Sequence, residues 1–465
     1  MSSPSSFPLS SLWHQTPFLS LSVFVVLGAA SSVHASDGGA AVVGALVSAD
    51  RMAAAVEPEL RTLMLDVLER NPGLAASAAR ARASRHEAPQ ARALPDPMLG
   101  ATAYVAPPET RVGPQRFMTT LSQKFPWFGK RGLRERAAHQ NADGLDADWE
   151  AQRLDMITQV RVICYELAFV DAVSEILASD RDTLTRYEEL ARARYASGVG
   201  QEQGVVKLQA EITRDETRML DLAAQRARLV AQLNALRDRP TGLEVPALQL
   251  PPQADAPLPP LDALQALALE ARPELLRAAV EVNRADTLIE LAQKEFKPDF
   301  TLGVTYALVG TRSDAPGQIL PPPDNGSDVF GIQLSVNLPL HRGRLNAGLE
   351  QAAERRLQAV ERRRSETAAI DGALGDLHAR VRLTGEQIEL FERALLVQAE
   401  QSLASAEAGY SAGTLGALDL LDAERTLLTA RTGTVRARAD HAIAIARLEG
   451  TLGAPLKPGT EGGVK

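Results

Sequence analysis

The chain has 465 residues, 45% hydrophobic and 23% charged, enough apolar side chains for two or three packed domains. Its formal net charge of −8 leaves no basic excess to neutralise phosphates, which argues against nucleic acid as the main partner. The single cysteine, Cys164, excludes an internal disulfide, and its place in an amphipathic helical run marks a packed core thiol.

The chain opens as a secretory leader. Phe18 to Ala30 is an apolar run of 13 residues, shorter than the ~20 a spanning helix needs. Val33-His34-Ala35 supplies small residues for cleavage, so residues 1–35 read as a signal peptide and the mature chain starts near Ser36. No Lys or Arg precedes the run, only His14, and no Cys follows the cleavage site to carry a lipid. No later segment is apolar enough for a membrane helix, so any spanning part would be a β-barrel.

A first repeat is expected over residues 36–238. Asn71-Pro-Gly-Leu74 opens a helix, and strands follow at about 98–106 and 116–125. From Pro126 to Pro240 there is no proline, only a stretch rich in Ala, Leu, Arg, Glu and Gln. The turn Tyr195-Ala-Ser-Gly198 divides it, so the segment predicts a helical hairpin with an arm about 100 Å long. Residues 239–260 form a linker too proline-dense to be helical. A second repeat, 261–454, runs the same course: a helix at Arg272-Pro-Glu-Leu275, strands at about 299–308 and 329–338, then a proline-free hairpin divided at Tyr410-Ser-Ala-Gly413. Residues 455–465 read as a flexible tail. Phe117, Leu121, Ser122 and Pro126 match Phe330, Leu334, Ser335 and Pro339 position by position, so the halves are a duplicated unit.

The strands alternate. Phe330, Ile332, Leu334, Val336 and Leu338 point one way, and Gly331, Gln333, Ser335 and Asn337 the other. Phe300, Leu302, Val304, Tyr306 and Leu308 oppose Thr301, Gly303, Thr305 and Ala307. Taken alone, one such strand favours a half-buried sheet in a soluble domain. Four of them, each about as long as a tilted transmembrane strand, favour a barrel. So do the aromatics beside them: Tyr104, Phe117, Phe125, Trp127, Phe128, Phe296, Phe300, Tyr306 and Phe330. Four strands cannot close a barrel, so three copies are expected to contribute twelve. The fold class is mainly α with a transmembrane β-barrel.

With these features the sequence resembles the TolC-type outer membrane factors, the outer membrane efflux protein family, over about Glu57 to Leu452. The carriers are the two half-repeats and the turn Tyr410-Ser-Ala-Gly413-Thr414 running into Leu418-Asp419-Leu420-Leu421-Asp422-Ala423-Glu424-Arg425. Gln123-Lys-Phe-Pro-Trp-Phe-Gly-Lys130 is similar to the strand-to-helix junction of members that serve heavy-metal resistance pumps, the CzcC/CusC-like branch. The resemblance implies a homotrimer in the outer membrane with a helical tunnel through the periplasm. A periplasmic adaptor (membrane fusion protein) would dock at the tip, and an inner-membrane pump, of RND type, would supply the energy.

The resemblance also assigns roles. Gly198, Gly413 and Thr414 would form the adaptor-docking tip. Asp419 and Asp422, three apart on one helix face, would line the closed entrance as carboxylate rings that select cations; a solvated helix face is the plainer reading. Trp127, Phe128 and Lys130 would anchor the membrane interface, against ordinary packing at a bend. Leu415, Gln203 and Gly204 stand where drug-efflux relatives carry basic or polar tethers, so the closed state would be held differently. Glu361 to Glu366 reads as solvated helix surface. The histidines are scattered, and no metal, cofactor or catalytic signature is present. The alternatives are the outer-membrane duct of a type I secretion system, built on the same fold, and a soluble periplasmic coiled-coil scaffold.

Overall fold

The computed structural model describes residues 48–252, 257–312 and 314–456. The expected leader over 1–35 and most of the expected tail lie outside the described residues. Four short helices come first: α1 (Ser48–Ala54), α2 (Pro58–Arg70), α3 (Pro72–Arg85) and α4 (Glu87–Arg92). Asn71 starts α3 because its side chain accepts from Leu74 N at 3.1 Å and Pro72 fills the first helical position. Strands β1 (Met98–Ala103), β2 (Glu109–Thr110) and β3 (Gly113–Phe125) follow, then the long helix α5 (Lys130–Ala196) and its return arm α6 (Glu202–Leu236). The 67 residues of α5 make a rod about 100 Å long.

The described part of the linker has no helix, and Asn234 pins its start by donating to the carbonyls of Thr241 and Leu243. Beyond it come α7 (Leu261–Ala271), α8 (Pro273–Lys294), β4 (Phe300–Val309), α9 (Ala315–Ile319), β5 (Val329–Val336), α10 (Arg342–Leu390), α11 (Leu396–Ala412) and α12 (Ala417–Leu452).

Strand ends differ from expectation at three places, the first being β3, which begins at Gly113 and not near 116. β1 stops at Ala103, just before Pro107-Pro108. β5 stops at Val336, and Asn337 N carries the ladder one bond further by donating to Asp299 O at 3.2 Å. The long arm of the second hairpin is not one α-helix either: Phe391–Leu395 is a π-helical turn between α10 and α11. There the Phe391 ring packs so closely over Gly433 of α12 that a Cβ on Gly433 would meet it at 2.6 Å. A π turn winds an extra residue into the helix, which accounts for one of the two residues by which Pro339 to Gly413 exceeds Pro126 to Gly198.

The sheet is antiparallel, in the order β1-β3-β4-β5, with β2 on the end of β3. The main core surrounds the middle of the rods: α1 and α2 cover Leu154, Ile157, Leu167 and Val170 of α5 and Leu233 of α6. α7 packs Leu264 and Ala268 on Leu374 of α10 and Leu448 of α12. Towards the hairpin turns the core thins to small apolar layers.

Candidate channel entrance and membrane-facing sheet

Register makes the sheet two-faced. Leu99 pairs with Leu121, Leu121 with Val304, and Val304 with Ile332. Directly paired residues share a face, so Leu99, Leu121, Val304 and Ile332 lie together with Phe117, Leu302, Leu334 and Phe330. The opposite face carries Thr102, Thr120, Ser122, Thr305, Gln333 and Ser335. The apolar face is exposed, with Ile332 74% and Leu334 67% accessible, and on the edge strands the polar face is open too, at Thr102, Gln333 and Ser335. A soluble half-buried sheet would cover that face with another layer, and among the described residues none does. β1 and β5 each pair on one side only, leaving both sheet edges open.

At the sheet-to-helix junction Trp127 stacks on Phe300 with centroids 5.6 Å apart, and Phe128 projects with 80% of its surface exposed. Leu338 and Leu340, which match Phe125 and Trp127 in the second half, are exposed as well. Alternation placed Leu338 on the apolar side but did not mark Leu340. Lys130 corrects an expectation. It is not a surface cation beside lipid but is 1% exposed, with its ammonium 2.9 Å from Asp299 and 3.3 Å from Glu295. Asp299 also accepts from Trp127 N at 3.0 Å. The pair therefore joins the start of α5 to the start of β4, tying one half of the chain to the other.

The two hairpin turns share one backbone pattern. Gly198 and Gly413 both have φ +79°, the left-handed region where a Cβ is penalised. Gly198 N donates to Tyr195 O and Gly413 N to Tyr410 O. Thr414 closes its turn through N and Oγ1, both donating to Gly409 O. Leu415 packs on Gly409, and Gly204, buried, lies so near Ala417 that a Cβ on it would meet the Ala417 methyl at 2.9 Å. Leu415 and Gly204 thus serve close packing at the tip; Gln203 is exposed.

Asp419 and Asp422 are both exposed on one face of α12. Asp419 has a task that spacing did not reveal: its Oδ2 accepts from Gly416 N at 2.9 Å and caps α12. The hairpins are tied to each other by residues the sequence reading missed. The Arg194 guanidinium of α5 lies 4.7 Å from the Tyr410 ring centroid and donates to Tyr410 O. The Tyr187 hydroxyl donates to Glu407. Each partner sits more than 200 residues away, and nothing local marks it. Val199, Leu415 and Leu418 leave apolar surface exposed around the tip.

The outer membrane efflux protein family matches residues 63–237 and 264–454. The cobalt-zinc-cadmium resistance protein CzcC of Cupriavidus metallidurans is 24% identical over 346 residues, covering 74% of this chain and 77% of that protein. The outer membrane protein TolC of Vibrio cholerae is 24% identical over 346 residues, 72% of this chain and 75% of its own. The crystal structure of the outer membrane protein VceC from Vibrio cholerae superposes with a TM-score of 0.70 at 23% identity, over 85% of this chain and 96% of that one.

Proposed function

This chain belongs to the outer membrane efflux protein family, and on that premise we propose that it is the outer-membrane duct of a tripartite efflux system. The observation that carries the reading is the sheet, which leaves an apolar face uncovered and both edges open. In hydrocarbon an open edge is prohibitive, because unpaired N–H and C=O groups find no water. Three copies joined β5 to β1 remove every edge and make a barrel of twelve principal strands, with the apolar face to lipid and the Thr, Ser and Gln face to the lumen. The ~100 Å helices continue the barrel as a periplasmic tunnel.

The entrance is the end that bears Gly198 and Gly413. There Arg194–Tyr410 and Tyr187–Glu407 hold the two hairpins of a protomer together, in place of the tethers absent at Leu415, Gln203 and Gly204. The exposed apolar rim of Val199, Leu415 and Leu418 suits an adaptor protein carried by an inner-membrane pump of RND type. Similarity to CzcC supports heavy-metal cations as cargo, and the Asp419 and Asp422 rings would pass cations in preference to anions. The reading involves no catalysis.

The test is deletion and reconstitution. Deletion should sensitise cells to cobalt, zinc or cadmium, and the protein should fractionate with the outer membrane as a heat-modifiable trimer that conducts in planar bilayers. Release of a non-conducting protein by osmotic shock would sink the proposal.

A further inference from the structure

Several turns from the tip, the packing of α5, α6 and α12 is interrupted. Val173 and Leu177 with Leu428 form an apolar layer on one side, and Leu184, Leu208 and Leu421 form one on the other. Between them three carboxyl groups meet, one from each helix. Asp180, Asp215 and Glu424 are 6%, 0% and 3% exposed within a single protomer. They stand about three to five helical turns from Gly413 and Gly198.

The Asp180 carboxyl lies close enough to interact with both Asp215 and Glu424. An ionised carboxylate only accepts, so a bond between two carboxyl groups needs a proton on one of them. No N–H or hydroxyl among the described residues reaches the buried atoms Asp215 Oδ2 and Glu424 Oε2.

The surrounding charges do not neutralise the group. On α6, Arg218 lies 2.8 Å from Asp215 and 3.9 Å from Glu211. Glu211 is itself engaged by Arg214 of α6 and Arg425 of α12. On α5, Glu188 pairs with Arg192, and Tyr187 bonds Glu407 of α11. Three buried carboxyls thus share one half-exposed cation, and like charges so placed cannot all ionise. Among the described residues no group of His, Cys, Asp and Glu has the geometry of a metal site, so the neutralising species is the proton.

We infer that the Asp180–Asp215–Glu424 layer is a proton-operated latch on the periplasmic entrance, holding α12 against α5 and α6 when protonated and releasing it when ionised. The inference rests on the duct reading for what the latch controls. Its working range follows from the environment. Burial, and then the bond to a neighbouring carboxyl, push Asp180 and Asp215 each up to about 7. A carboxyl raised on folding stabilises the packed form fully below the ordinary aspartate range, and that stability is lost as pH rises through its folded value. The latch is closed in mild acid and loosened above neutrality.

Hydrogen exchange and single-channel recording on the full-length trimer test this, from about pH 5.5 to about 8.5, a window that brackets the expected transition. Amides of α12 from Leu421 to Leu428, corrected for intrinsic rates, should exchange faster as pH rises through neutrality. Open probability should rise with them, about tenfold per pH unit for each proton released. Asp180→Asn with Asp215→Asn should leave both readouts low and flat, while Asp419→Asn with Asp422→Asn should keep the transition. Exchange in the unaltered trimer that is flat with pH overturns the latch, whatever the variants do, and a trimer that still conducts then leaves the duct standing. A transition that persists in Asp180→Asn with Asp215→Asn and vanishes with the mouth aspartates also overturns it. A protein that never conducts, yet shows the exchange transition, overturns the duct and keeps the proton switch.

Discussion

The guanidinium of Arg194 lies over the ring of Tyr410, 4.7 Å from its centroid, and one of its N–H groups donates to the Tyr410 carbonyl. A side chain near the end of the first long arm thereby grips the last turn before Gly413 in the second. Cation–π contacts contribute about 0.5–2 kcal/mol. Arg194→Ala should leave trimer yield unchanged and raise the open probability of the isolated channel roughly two- to thirtyfold, read from single-channel records. An unchanged open probability would mean that the contact is incidental.

The sheet faces make opposite predictions for neighbours in β5. Leu334 pairs with Leu302 on the exposed apolar face, and Gln333 with Gly303 on the other. Leu334→Arg places a charge in hydrocarbon at a cost of about 2–4 kcal/mol near mid-bilayer, and trimers should fail to accumulate in the outer membrane. Gln333→Arg should assemble normally. Equal yields of the two on semi-native gels would contradict the barrel.

Lys130 and Asp299 form a buried pair whose members are 1% and 8% exposed. Removing Lys130 leaves Asp299 with the half-exposed Lys124 at 3.3 Å and the Trp127 N–H, so the cost falls below the ~3–5 kcal/mol of a fully stranded buried charge. Lys130→Met should lower the thermal midpoint of the trimer, and adding Asp299→Asn should recover much of the loss. If the double variant melts no higher than the single one, the penalty is not the carboxylate left behind.

Asp419 and Asp422 are separable by chemistry. Asn at both positions keeps an oxygen to cap Gly416 N and removes six carboxylates from a trimeric entrance. Cation selectivity, and block by multivalent cations from the periplasmic side, should both fall without loss of trimer. Asp419→Ala should in addition cost about 1 kcal/mol of helix stability. Selectivity and block that survive the double Asn change would make the pair ordinary surface residues.

Gly413 has φ +79°, and a Cβ there would come within 3.2 Å of Arg194 Nη2. Around Gly198 there is open space, so only the backbone penalty, on the order of 1–2 kcal/mol, applies. Gly413→Trp should leave trimers intact but abolish crosslinking to the adaptor and export. Normal crosslinking with normal export would remove the tip from the docking surface.

Much of the architecture was legible in local pattern. A period of two gave β4 and β5 their apolar faces, proline spacing marked the rods, and Tyr195 to Gly198 and Tyr410 to Gly413 announced the turns, because strand faces, helix runs and left-handed glycines are set by residues close in the chain. The tertiary structure decided what had no local signal. Lys130 looked like an interface cation until α5 and β4 brought it to Asp299, 169 residues away. Asp180, Asp215 and Glu424 were unremarkable helical acids until three helices packed them into one layer. Asp419, read as a gate carboxylate, caps α12. A side chain's face follows from its own periodicity, but its partner follows from the register in which distant rods pack, and burial beside that partner sets its charge, its proton and its role.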